Sequence, residues 1–116
     1  MLFSCTIDFN LIPYFRMTQK SKWCKQARRY LDSQEALAWE LKKHWNGESI
    51  MAMVELFCAV HLNHRRRADL SNLLKSVEDS LQYAGILVND YQITAYGKCR
   101  RYHGKVGRVI ITLRLL

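Results

Sequence analysis

The chain has a single proline and five glycines in 116 residues, so few positions force a turn. With 49% hydrophobic residues this excludes a disordered or fibrous polypeptide. No stretch approaches the roughly 20 apolar residues of a membrane-spanning helix. The longest, Ile50 to Leu62, is broken by Glu55 and His61. The opening MLFSCTIDFNLIPYF is apolar, but no basic segment precedes it and Asp8 lies inside it, which argues against a secretory signal. Paired cysteines are missing too. Cys5, Cys24, Cys58 and Cys99 form no CxxC and read as free thiols, with Cys58 in a buried strand. His44, His61, His64 and His103 add no recognised zinc spacing to Cys24 and Cys99.

Negative charge is scarce as well: ten acids face eighteen lysines and arginines, for a net charge of +8. Such a surplus implies an anionic partner. Nucleic acid is the commonest, although an anionic membrane surface or an acidic protein would answer the same field. The length suits one domain with one modest core.

Residues 2 to 12 alternate loosely and read as an opening strand that closes near Pro13. Residues 16 to 29 are basic and turn-rich around Trp23, as in an arm that closes on a polyanion. Trp23 could stack on a base or simply pack. Asp32 and Glu35 resemble a capping box, and Leu37, Ala38, Leu41, His44 and Trp45 then recur at helical spacing, with Trp39 off that stripe. Ser49 to Leu62 reads as a buried strand, though its Met and Ala content would tolerate helix. From Leu70 to Ala84 the apolar residues Leu70, Leu73, Leu74, Val77, Leu81 and Ala84 share an arc about 100° wide, with polar residues opposite. Gly85 suits the position after that helix. Tyr91 to Cys99 and Val106 to Leu116 read as a closing hairpin around the turn CRRYHGKVG. The expected fold is α+β: a single domain with a mixed β-sheet and two main helices packed on one face.

The stretch RRRADLSNLLKSVEDSLQYAGILVNDYQ, Arg65 to Gln92, carries the chemistry. Asp69, Ser71 and Asn72 stand at the mouth of the second helix, directly behind Arg65, Arg66 and Arg67, and Asp90 follows its end. Carboxylates hold Mg²⁺ and guanidinium groups hold phosphate, so the pattern suits phosphodiester chemistry. An Asp before a helix is ordinarily a cap, and an Arg run is ordinarily a solvated face.

This block, extended to Ile93, resembles the signature of RusA-type Holliday-junction resolvases. In that family a basic run leads into Asp-Leu-Asp-Asn-Leu-x-Lys, a helix containing Asp-Ala-Leu, and an acidic pair before x-Gln-Val or x-Gln-Ile. The resemblance implies a RusA-like fold and a homodimeric, Mg²⁺-dependent endodeoxyribonuclease (Mn²⁺ a possible substitute). Its expected work is to resolve four-way DNA junctions by paired symmetric nicks in recombination and repair, in the cytoplasm of a bacterium or phage host, at the nucleoid and without a membrane partner. It implies that Asp69 and Asp90 bind metal, with Ser71 as a neutral ligand or a hydrogen-bond partner to its water. Asn72 and Lys75 match the motif's amide and its catalytic lysine. Asp79 matches the mid-helix acid, with the task of orienting Lys75 or capping a subunit contact. The alternative for Lys75 is an ordinary ion pair with Asp79. Lys20, Lys22, Lys25, Arg65, Arg66, Arg67, Arg100, Arg101 and Lys105 would contact the DNA backbone.

The chain departs from the pattern at Ser71, where a second Asp is usual, at Asn89, which replaces the first acid of the pair, and at Ala68, which interrupts the basic run. The first departure opens the alternative of a branched-DNA-binding protein of the same fold that cuts weakly. A third class is a basic ribosome-associated or RNA-binding domain.

Overall fold

The computed structural model describes residues 2–16, 24–45, 47–63 and 67–116. Strand β1 (Phe3–Ile7) is followed by helix α1 (Lys25–Lys42), strand β2 (Val54–Leu62), helix α2 (Leu70–Tyr83), a single 3₁₀ turn (Asp90–Gln92) and strands β3 (Ile93–His103) and β4 (Arg108–Leu115). The four strands form one mixed sheet in the order β1-β4-β2-β3. β4 runs antiparallel to β1 and to β2, whereas β3 runs parallel to β2.

The closing hairpin is therefore overturned: β2 lies between β3 and β4. Val54, Leu56, Cys58, Val60 and Leu62 are all at most 3% exposed, so β2 gains most by lying at the centre with both edges paired. The link from residue 104 to 107 must step across two strand spacings, about 10 Å, within reach of four extended residues at ~13 Å. Gly104 N–H is fixed to the last residue of β2, Leu62 C=O, at 2.9 Å. The joining of β2 to a parallel β3 uses α2 as its crossover, as parallel pairing requires.

Both helices cover one face of the sheet, as expected. The inward residues Phe3, Cys5 and Ile7, Leu56 to Leu62 at every second position, and Val109, Ile111 and Leu113 are buried. They meet Leu37 and Leu41 from α1 and Leu73, Val77 and Leu81 from α2 in one core cluster. Each fully buried Leu contributes about 2 kcal/mol of transfer free energy. On the other face Phe57 lies over Gly97, where an added Cβ would come within 2.1 Å of its ring, so any side chain there would have to displace the ring.

Three boundaries differ from the sequence expectation. The opening strand ends at Ile7, and residues 8–16 run on as coil, tied by Phe9 N–H to Gly107 C=O at 3.1 Å and by Tyr14 N–H to Asn72 C=O at 3.0 Å. Helix α1 begins at Lys25 rather than Asp32, so Lys25 to Arg29 belong to it and not to an arm. The stripe simply continues backward through Ala27 and Tyr30, both buried, while Arg28 and Arg29 face outward. Cys24 caps the helix by accepting Ala27 N–H at its sulfur. The central strand begins at Val54. Ile50 makes only an isolated bridge to Leu87, and Met51 and Met53 are exposed. Met17 to Trp23, including Lys20 and Lys22, and His64, Arg65 and Arg66 lie outside the described residues. The four cysteines are free, and burial pushes Cys5 up to about 11 and Cys58 up to about 12.

Candidate functional site

Helix α2 carries Asp69, Asn72, Lys75 and Asp79 at intervals of three, three and four, which places them along one side of the helix. Asp69 stands at the N-cap with extended backbone (φ −72°, ψ 138°), yet its carboxylate makes no cap hydrogen bond. Its backbone carbonyl instead receives Asn72 N–H and Leu73 N–H, both at 3.1 Å. The ordinary capping role therefore does not account for this acid, whose side chain is exposed. Asp69 and Asn72 line a groove of about 510 Å³ that also takes in Tyr14, Gln26, Arg29 and Arg67. Two guanidinium groups, an acid and the positive end of a helix thus face one opening.

Ala68 is buried at 5% exposure, which explains why the basic run is interrupted here: its side chain points into the core, where a guanidinium would lack a partner. Its carbonyl accepts from Arg101 Nη1 of β3, so Arg101 holds the residue that precedes Asp69.

The other end of the site is knit together. Lys75 Nζ donates to Asp90 Oδ2 at 2.8 Å and stands 3.4 Å from Asp79 Oδ1. The hydrogen bond to Asp90 and the charges of both acids hold the Lys75 ammonium above its ordinary range. Its nitrogen also lies 6.0 Å from the centre of the Tyr14 ring. Asp90 reaches this position because Gln92 is buried and fully used. Gln92 Nε2 donates to Ile50 and Ala52 carbonyls at 2.7 and 3.0 Å, and its Oε1 accepts from Val88 and Asn89 amides at 2.8 and 3.0 Å. Asn89 Oδ1 in turn accepts Tyr91 N–H at 2.8 Å. The departure at Asn89 thus has a local task, capping the turn that presents Asp90.

Glu78 is one of the polar residues opposite the apolar arc of α2, yet it is buried, with Tyr96 O–H of β3 donating to its Oε1 at 3.0 Å. Burial raises the Glu78 carboxyl above its ordinary range, an effect opposed by Tyr96 and by Lys75. Burial and the Glu78 hydrogen bond push Tyr96 up to about 12. Tyr30, Tyr14, Arg29, Glu78 and Gln92 were all missed as site residues. Only Gln92 carried a signal, its place in the x-Gln-Ile end of the motif.

The structure does not gather every expected residue. Ser71 is exposed, one turn before Lys75. Arg100 points to the opposite face of the sheet, in a second groove with Phe57, Tyr102 and Ile110, because neighbours on a strand alternate. Lys25 and Lys105 are exposed, at the start of α1 and in the link before β4. Among the described residues no three His, Cys, Asp or Glu side chains cluster as a ready metal cage. Mg²⁺ does not require such a cage, since it is commonly held by one or two carboxylates with water and substrate phosphate. The ammonium at Asp90 marks a place where a cation is accommodated.

A family model described as "Endodeoxyribonuclease RusA" matches residues 12–114. A protein of Aquifex aeolicus (strain VF5) named "Crossover junction endodeoxyribonuclease RusA" is 34% identical over 77 residues, 66% of this chain and 60% of that relative. The match therefore spans less than two thirds of the relative's length. No helix among the described residues is long and apolar enough to cross a membrane. With the family match running from the coil that carries Tyr14 through both helices to the end of β4, the chain belongs to the RusA endodeoxyribonuclease family.

Proposed function

We propose that this protein is a Mg²⁺-dependent, structure-selective endodeoxyribonuclease that resolves four-way DNA junctions by paired symmetric nicks. The observation that carries this reading is the Lys75–Asp90 bond, which returns the acid beyond α2 to the helix that bears Asp69 and Asn72. Family membership supports it, as does the basic groove beside Asp69.

Asp69 and Asp90 would hold the cation, with Ser71 and Asn72 offering neutral oxygens. When bound, the cation lowers the pKa of the attacking water and neutralises charge on the phosphate. The remaining work falls to side chains. Lys75 neutralises charge that develops on the phosphate oxygens, where a preorganised donor counts most. Arg29, Arg67 and the arginines before it grip the backbone and position the strand. Lys20, Lys22, Lys25, Arg65, Arg66, Arg101 and Lys105 extend that contact, with Arg100 meeting DNA only from the sheet's other face.

A four-way junction has two strands related by a two-fold axis, and one site per chain then calls for a homodimer. Exposed Met51, Met53 and Tyr91 form an apolar surface suited to that contact. Cytoplasmic action at the nucleoid fits such a substrate.

A second reading is favoured by one observation: Ser71 is neutral, and no cluster of three His, Cys, Asp or Glu side chains forms among the described residues. On that reading the protein binds branched DNA and cuts it weakly. Incubating pure protein with a labelled synthetic junction and Mg²⁺ or Mn²⁺ separates the two. Paired nicks that vanish in Asp69→Asn and Asp90→Asn support the nuclease; tight binding with only trace cleavage supports the binder. Unchanged cleavage in both variants contradicts the assigned site.

A further inference from the structure

We propose that Asp79, locked by Tyr30, is a second seat for the Lys75 ammonium, which keeps Lys75 at the site when a divalent cation takes Asp90. The inference rests on the reading above and concerns how the same site exchanges one cation for another.

Lys75 lies between two carboxylates, 2.8 Å from Asp90 Oδ2 and 3.4 Å from Asp79 Oδ1. A divalent ion at Asp90 competes for the same oxygens, and like charge repels the ammonium from that position. An exposed lysine without another partner would then swing into water, since holding a long side chain in one place costs rotamer entropy. Here Asp79 remains, and it cannot turn away. Its other oxygen, Oδ2, accepts the Tyr30 hydroxyl at 2.7 Å. Tyr30 is 1% exposed on α1, so its hydroxyl must find an acceptor inside the protein, and Asp79 is that acceptor. Tyr30 also packs edge-to-face on Tyr14, whose ring lies beneath Lys75 Nζ.

Asp79 is the less exposed of the two acids, with 21% of its side chain accessible against 37% for Asp90. That difference suits a fixed seat and an exchangeable one. A simple tie between helices would need only Tyr30 and Asp79; it would not need the second oxygen aimed at Lys75. Tyr30 and Asp79 are thus positioning residues acting through Lys75.

The test follows the Lys75 side-chain methylene next to Nζ by NMR in full-length protein without DNA, assigned with Lys75→Arg, as MgCl₂ is added. In the wild type, Mg²⁺ should shift this signal while its two protons keep distinct shifts, the mark of a held side chain. In Tyr30→Phe, which preserves the buried ring, and in Asp79→Asn, Mg²⁺ should collapse the two shifts into one. Single-turnover junction cleavage should fall roughly tenfold in Tyr30→Phe with junction affinity unchanged. If the wild type responds to Mg²⁺ and both variants respond identically, the second seat is refuted while the metal site stands. If Mg²⁺ leaves the wild-type signal unmoved, or moves it equally in Asp90→Asn, both the site and this inference fall.

Discussion

The two ends of the site are built differently. At the Asp90 end, Tyr30, Asp79, Lys75 and Asp90 form a continuous chain of hydrogen bonds and ion pairs rooted in buried Tyr30 of α1, and Gln92 separately ties the turn that carries Asp90 to the segment before β2. At the Asp69 end the acid caps nothing, Ser71 is exposed, and Arg29 and Arg67 border an open groove. One end is preorganised by the protein. The other is left open to solvent. Catalytic groups gain most when their charge is fixed before reaction, whereas a substrate channel must remain accessible. Under the proposed function, the contrast would put chemistry at the junction of the two ends and binding in the groove.

The largest effects should come from breaking the link between the ends. Asp69→Asn and Asp90→Asn should each reduce junction cleavage by roughly a thousandfold, and Lys75→Met by about a hundredfold, in single-turnover assays at saturating protein. Their circular dichroism should remain that of the wild type. A loss confined to Asp90 and Lys75 would mean that the open end binds DNA without sharing in the chemistry.

Next comes the root of the closed end. Gln92→Leu strands two carbonyls and two amides, so denaturant unfolding should show a loss of about 3 kcal/mol. Cleavage should fall beyond what that loss explains, because the turn carrying Asp90 is released. Ser71→Asp acts on the open end instead. Adding a carboxylate there should raise Mn²⁺ affinity by about tenfold, read by titration calorimetry, since cation affinity follows ligand charge. A parallel rise in cleavage would place the native protein nearer the weak-cutting reading.

The smallest effect concerns Glu78. Burial raises its folded-state pKa, so the folded protein holds this proton at pH values where the unfolded chain has released it. Stability contributed by the neutral carboxyl is present below the ordinary carboxylate range and is lost as pH rises through the folded pKa. Glu78→Gln keeps the acceptor for Tyr96 and has no charge to bury. Its melting temperature should match the wild type near pH 4 and exceed it near pH 8. A variant less stable at both would mean that the ionised carboxylate is well solvated.

The strength of local periodicity decided what the sequence made legible. The α2 stripe, the alternation of β2 and the glycine after α2 each rest on residues near in the chain, and Gly85 does adopt φ +76°. The motif likewise singled out Lys75 and Asp90, which the fold joins at 2.8 Å, since its spacing is local. Strand order was not legible, because a central position for β2 depends on what competes to cover it, and β3 with β4 looked like a hairpin by proximity alone. The start of α1 was hidden by an unusual sulfur cap and by an outward basic face. Tyr30 was invisible because its partner lies 49 positions away, and the motif marked Gln92 without revealing its bond to Ile50, 42 positions away.

The central claim is that Asp69 and Asp90 share one divalent ion beside Lys75. Anomalous diffraction from crystals soaked in MnCl₂ tests it most directly. The account predicts a peak within bonding distance of both carboxylates, with Lys75 moved off Asp90 and resting at Asp79. A peak coordinated by neither acid, or carboxylates pointing apart with Lys75 unmoved, would contradict it.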